Sequence, residues 1–283
     1  MEALMSVRSR MGYWLAVMLS VAAPRIAAYA QASAAGDTEW LDDCQHEGWE
    51  HSNRAHACDL RVQRLPHSEA LTVDGGENGG VAIIGWTGDS VVMHALVRAW
   101  AETPDKARDL ASRVTISAGG GRIRADGPDA GHHEGWSVSY RVFMPRHSDL
   151  SVETINGPMS VEGVTGHMVL KTVNGPLSLD RVGGDVHARA ENGPLDVALD
   201  GARWDGAGLD AETENGPVDL SLPANYAGHL ITGTENGQTD FRFPLTLQGS
   251  LDTRHLSLDI GGGGPPIRVI TTNGPVTLRH TSE

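Results

Sequence analysis

Carboxylates at fixed spacing are the residues in this chain best placed to do chemistry. Glu191, Glu214 and Glu235 each stand one residue before an Asn-Gly pair, and Asp196, Asp219 and Asp240 each stand four residues after that Asn. If the units carrying them stack in order, two files of like charge run along the molecule. Such charges one strand apart repel by about 1 kcal/mol per neighbour even at water-like dielectric. A Ca²⁺ ion held by these six residues would relieve the repulsion, because Ca²⁺ takes several carboxylate oxygens. A solvated acidic stripe that keeps the protein soluble needs no ion. The same positions would also suit a polysaccharide lyase or glycosidase using Glu191, Glu214, Asp196 or Asp219. Against that reading, Glu153, Lys171, Arg189 and Glu212 alternate in sign up one file, which is ordinary cross-strand pairing. With 3 Phe and 4 Tyr, aromatic platforms for sugar stacking are sparse. The expectation is a non-enzymatic protein with no catalytic residues and no cofactor, with Ca²⁺ at these carboxylates as the alternative.

The two cysteines offer a second chemistry. Cys44 and Cys58 lie 14 residues apart and close a polar loop, most simply as one disulfide in an oxidising compartment. Cys44-Gln45-His46 and His56-Ala57-Cys58 are also mirror pairs that would make a Cys₂His₂ zinc site. His46-Glu47-Gly48-Trp49-Glu50-His51 resembles a metalloprotease helix but carries Glu50 where the second His must stand.

The elements that would position these residues come from a repeat. Asn156, Asn174, Asn192, Asn215 and Asn273 each begin Asn-Gly-Pro, and Asn236 begins Asn-Gly-Gln. Successive steps are 18, 18, 23, 21 and 37 residues, a period that signals stacked supersecondary units. Apolar residues and Thr fall two, four and six residues before each Asn, and three and five after, so a strand ends at each corner and another begins beyond it. Asn-Gly between strands is a hairpin signal, but a two-residue hairpin needs an N–H where Pro158, Pro176, Pro194, Pro217 and Pro275 have none. The corner therefore changes face and climbs. The Asn side chains share the parity of the buried files, which implies an inward ladder about 4.8 Å per step. The fold expected is all-β: a right-handed parallel β-helix, or solenoid, with rungs of about 18–23 residues. Extra length falls at the far corners, around Trp204-Asp205-Gly206 and Pro223-Ala224-Asn225, and such insertions usually vary on one face.

The chain divides into a signal peptide (1–30), an N-terminal segment with one disulfide (31–68) and a solenoid (69–283). The solenoid has an irregular opening and cap (69–149) and the Asn-Gly-Pro repeats (150–283). One short helix is expected at about 104–112, with Thr103 as N-cap and Pro104 in the first turn. Arg8 and Arg10, the apolar run from Tyr13 to Ala23 and Ala28-Tyr29-Ala30 make up a secretory leader. No segment of the mature chain is apolar enough to span a bilayer. Export to the periplasm or the exterior follows. The formal charge of −14 argues against nucleic acid and anionic lipid as partners.

Together, the strand-Thr-x-Asn-Gly-Pro pattern, the Gly201–Leu209 connection, Trp136-Ser137-Val138-Ser139-Tyr140 and the Cys44–Cys58 segment resemble a family of exported bacterial proteins. It is the adhesin-type family of unknown function related to the head GIN domain, and the resemblance covers roughly residues 69–280. It implies a single-chain β-helix of the cell envelope without assigned catalytic residues, binding an unknown envelope or surface ligand, a glycan or a protein. Gln238 in place of Pro, and the absence of Asn-Gly between 236 and 273, depart from the pattern.

Overall fold

A computed structural model describes residues 36–46, 54–242 and 254–281. The leader at 1–30 lies outside the described residues. Each repeat contributes one strand to each of two facing sheets, because the corner carries the chain from one to the other. In spatial order the first sheet runs Ala55–Pro66, Ser90–Ala101, Gly135–Pro145, Val81–Trp86, Met159–Glu162, Leu177–Asp180, Leu195–Ala198, Val218–Leu222, Val276–His280, Thr239–Arg242. The second runs His255–Ile260, Gly228–Asn236, Pro266–Asn273, Gly208–Asn215, Gly183–Asn192, Thr165–Asn174, Asp149–Asn156, Ala70–Asp74, Arg122–Asp126, Thr115–Gly119.

This is not the single right-handed parallel β-helix expected. Two ten-stranded sheets mix parallel and antiparallel neighbours. In the repeats the pairing is parallel and in register, Leu150 beside Met168 beside Val186. At the ends it is antiparallel, as in Ser90–Ala101 with Gly135–Pro145 and Gly228–Asn236 with His255–Ile260. Nor do the repeats stack in sequence order. The strands of the Asn273 repeat sit between those of Asn215 and Asn236. At the other end, Ala70–Asp74 lies between Asp149–Asn156 and Arg122–Asp126.

The core fills the space between the sheets. Leu150, Met168, Val186, Leu209, Leu230 and Ile267 are buried from one side, and Met159, Leu177, Leu195, Val218 and Val276 from the other. Each such side chain contributes about 1.5–3 kcal/mol on burial. Period-two alternation sends the intervening polar residues outward.

There are two helices among the described residues. Helix α1 (36–46) lies against the first sheet. Asp37 pairs with the buried His94 at 2.7 Å, the Arg141 guanidinium sits 4.7 Å from the Trp40 ring centre, and Cys44 is disulfide-bonded to Cys58. The cysteines are therefore a disulfide and not a zinc site. Helix α2 (Pro104–Arg113) buries Ala107, Leu110 and Ala111, and Arg61 donates to the carbonyls of Ala111 and Val114 at its C-terminal end.

Candidate functional site

The Asn-Gly-Pro corner holds itself together. Asn174 donates its side-chain amide to Asn156 at 2.8 Å, Asn192 to Asn174 at 3.0 Å, Asn215 to Asn192 at 3.0 Å, Asn273 to Asn215 at 2.9 Å and Asn236 to Asn273 at 2.9 Å. Asn156 in turn donates to Asn78 at 3.3 Å. These amides are exposed, not inward. Alternation breaks at the corner because the chain reverses there, leaving Glu191 and Asn192, or Glu214 and Asn215, both outward. The glycine amides donate to the Asn carbonyl of the next repeat, as Gly175 does to Asn192 at 2.9 Å. The residue after each Pro donates to the carbonyl at the same position of the neighbouring repeat, as Leu177 does to Pro194 and Val276 to Gln238. Proline thus occupies the position where this ladder uses no N–H. A Cβ on Gly193 would lie 2.1 Å from the Gly175 carbonyl oxygen, so glycine is required by close approach of backbone to backbone. Beneath the corner, Thr154, Thr213 and Thr271 donate to Gly79, Gly193 and Gly216 carbonyls, while the buried Thr172 and Thr234 hydroxyls have no partner among the described residues.

The acidic files do not form as sequence order implied. Asp196 stands beside Asp219, but Asp219 and Asp240 are separated by Thr277, which neighbours both. By the same register Thr272 separates Glu214 from Glu235. The inserted Asn273 repeat thus cuts each triplet to a pair. Asp219 is held by Arg279 at 2.7 Å and Asp240 by Arg242 at 2.8 Å. Among the described residues no group of three or more His, Cys, Asp or Glu is arranged to hold a metal ion. Glu191, Glu214, Glu235, Asp196, Asp219 and Asp240 are not brought together as a Ca²⁺ site. Burial, with the Asp219 charge adding, raises the Asp196 carboxyl above the usual range. Lys171 and Glu153 approach to 3.8 Å, and Arg189 meets Glu212 at 2.8 Å. Arg268, from the last repeat, completes a half-buried cluster with Asp210 and Glu212. Burial works against ionisation of Asp210, but hydrogen bonds from Arg189 and Arg268 outweigh it and hold the carboxyl below its usual range.

The far corners contain what the sequence reading missed. In the 18-residue repeats they are tight, Gly163-Val164 and Arg181-Val182. The longer connection before Gly208 folds back over them. Trp204 is buried and donates to the Gly184 carbonyl at 2.9 Å, Gly184 donates to the Asp205 carbonyl at 2.6 Å, and Ala227 donates to that of Ala202. The space beneath them is a half-open cavity of about 280 Å³. Arg146, Arg181 and Arg203 line it, with Asp200, Asp205 and Tyr226. Burial pushes the Tyr226 phenol up, so it stays a neutral hydroxyl. Arg181 pairs with Glu162 and with Asp180 at 2.7 Å. Its φ is 50°, making it the one non-glycine residue with positive φ among the described residues. Gly163, seven residues after its Asn as Arg181 is after its own, has φ 64°. The tight corner needs a left-handed residue there, which costs an L side chain roughly 1–2 kcal/mol. The sequence signal was the insertion around Trp204 together with Arg in the Gly163 position.

A second constellation stands on the antiparallel edge pair. Ser257 Oγ lies 3.2 Å from His229 Nε2, and His229 Nδ1 lies 2.8 Å from Asp259. The order resembles a Ser-His-Asp triad, but Asp259 is 67% exposed, whereas the triad aspartate works from a buried site. It is cross-strand pairing.

No protein-family model and no curated protein matches the chain. Among solved structures it is similar to a proposed cell adhesion protein from Clostridium sporogenes, at 6% identity and TM-score 0.44, over 80% of this chain and 100% of that one. It is similar to a proposed adhesin from Bacteroides fragilis at 11% identity and TM-score 0.37, over 79% and 97%. A proposed lipid-binding protein from Parabacteroides distasonis matches at 7% identity and TM-score 0.32, over 79% and 97%.

Proposed function

We propose that this chain is an exported bacterial envelope protein whose role is binding, with the far-corner cavity as its ligand site. The observation that carries the reading is that cavity. Most of the repeat surface is made of self-paired strands, yet the added length at one set of corners borders about 280 Å³ lined by charged side chains. That volume is near the lower end of small-molecule sites, roughly 300–1,000 Å³. It suits one ring-sized polar group of a surface glycan or of a protein side chain. The Cys44–Cys58 disulfide supports an oxidising compartment outside the cytosol. Adhesion is the specific role this favours, the cavity holding one unit of a larger surface ligand. A glycan array probed with the full chain and with Arg203→Ala tests it. Binding that weakens at least tenfold in the variant is expected; binding equal in both would remove the cavity from the account.

A further inference from the structure

We propose that the far-corner cavity takes an acidic sugar, a uronic acid unit, and that Arg181 engages its carboxylate. The inference rests on the cavity being the ligand site. Its starting point is a local conflict. The tight corner favours glycine, Gly163 meets that demand one repeat earlier, and Arg181 occupies the same position at positive φ. Its ion pairs with Glu162 and Asp180 are about half exposed, and such pairs add little stability. Folding alone would therefore be served better by glycine. What arginine adds is a guanidinium at the cavity wall: its two terminal nitrogens each hold one protein carboxylate, Glu162 and Asp180, and its remaining N–H groups are left for a ligand carboxylate.

The rest of the lining fits the same ligand. Arg146 and Arg203 reach the cavity without a side-chain partner among the described residues. The whole chain carries a formal charge of −14, so three arginines around one cavity run against the surrounding field. Asp200 and Asp205 also line it, and they accept from hydroxyl groups. A bare sulfate or phosphate would meet those two carboxylates unfavourably. A neutral hexose would leave the Arg146 and Arg203 guanidinium groups unpaired. A ring bearing one carboxylate and several hydroxyls satisfies both sets.

The test is calorimetric titration of the full chain with galacturonate, glucuronate, a uronate oligomer and the matching neutral hexoses. Wild type, Arg181→Gly, Arg146→Ala and Arg203→Ala are compared, with thermal unfolding of each. The expected result is uronate binding that falls at least tenfold in Arg181→Gly while its unfolding midpoint stays level or rises. Arg146→Ala should weaken binding too. Binding of the oligomer alone would place the ligand within a polysaccharide, and binding of the monomer too would identify a free or terminal unit; both support the proposal. Neutral hexoses bound as tightly as uronates, with Arg203 still needed, would overturn it and leave the cavity as the ligand site. Unchanged uronate affinity in Arg181→Gly would overturn the role of that residue. No binding of any sugar, together with a blank glycan array, would sink both readings.

Discussion

The two sets of corners in this molecule solve one problem, passing the chain from sheet to sheet, in opposite ways. At the Asn-Gly-Pro corner every repeat uses the same three positions, and each polar group that reaches the next repeat finds its like. Asn bonds Asn, the glycine amide bonds the Asn carbonyl, and the chain turns with no room for a Cβ. At the far corner the length varies, one position holds glycine in one repeat and arginine in the next, and a tryptophan folds inward to hold an inserted loop. Uniformity makes the first corner a fastening between repeats. Irregularity makes the second the place where a surface of mixed charge is gathered.

Substitutions that separate the two corners should differ most at glycine. Gly193→Ala places a methyl group 2.1 Å from a carbonyl oxygen that cannot move without shifting the repeat. A loss of about 3 kcal/mol in urea unfolding is expected. At the far corner Gly201 has φ 69° but open space around it, so Gly201→Ala should cost only about 1 kcal/mol from backbone strain. Equal losses would mean that the corners are not mechanically distinct.

Beneath the first corner, Thr213→Val removes a hydroxyl that donates to Gly193 and should cost about 1 kcal/mol. Thr172→Val removes a buried hydroxyl with no partner among the described residues and should be neutral or slightly stabilising. The pair is best read as a difference in unfolding midpoint, the two variants moving in opposite directions.

The smallest effect concerns pH. Burial and the neighbouring Asp219 raise the folded-state pKa of Asp196, so its charge destabilises the fold above that pKa. Protonation removes the penalty as pH falls through it. Asp196→Asn should therefore stabilise at neutral pH and lose the advantage in acid. Asp210 has the opposite sign: its pKa is lowered, and the stability present above the unfolded value of about 3.9 is lost as pH falls. Asp210→Asn should cost stability at neutral pH and little at low pH.

The inward files of Leu, Val and Met were legible because period-two alternation directly reports facing. The corner was legible because proline removes a donor. The order of the repeats was not. Every repeat offers nearly the same edge, so residues 266–280 could pair in register beside any of several others, and pattern alone does not choose. The antiparallel strand His255–Ile260, lying outside the Asn236 repeat, goes with the insertion that cut the acidic files. Asn parity failed for a local reason, since a reversing chain presents two consecutive residues outward. Arg181 stood in view in the Gly163 position, but positive φ at a lone arginine leaves no sequence signature.

The position of the Asn273 repeat governs when the molecule can become whole. A chain made from its N-terminus produces Gly228–Asn236 and Thr239–Arg242 well before Pro266–Asn273 and Val276–His280, the strands that must stand between them and the rest of the sheets. The late strands are a keystone and not a final course. Until they emerge, both sheets end at the Asn215 repeat with an open edge, and the Asn236 strands wait without their inner neighbour. A chain cut short before residue 266 would lack the strands that join its Asn215 and Asn236 repeats, and such unpaired edges invite association with other chains.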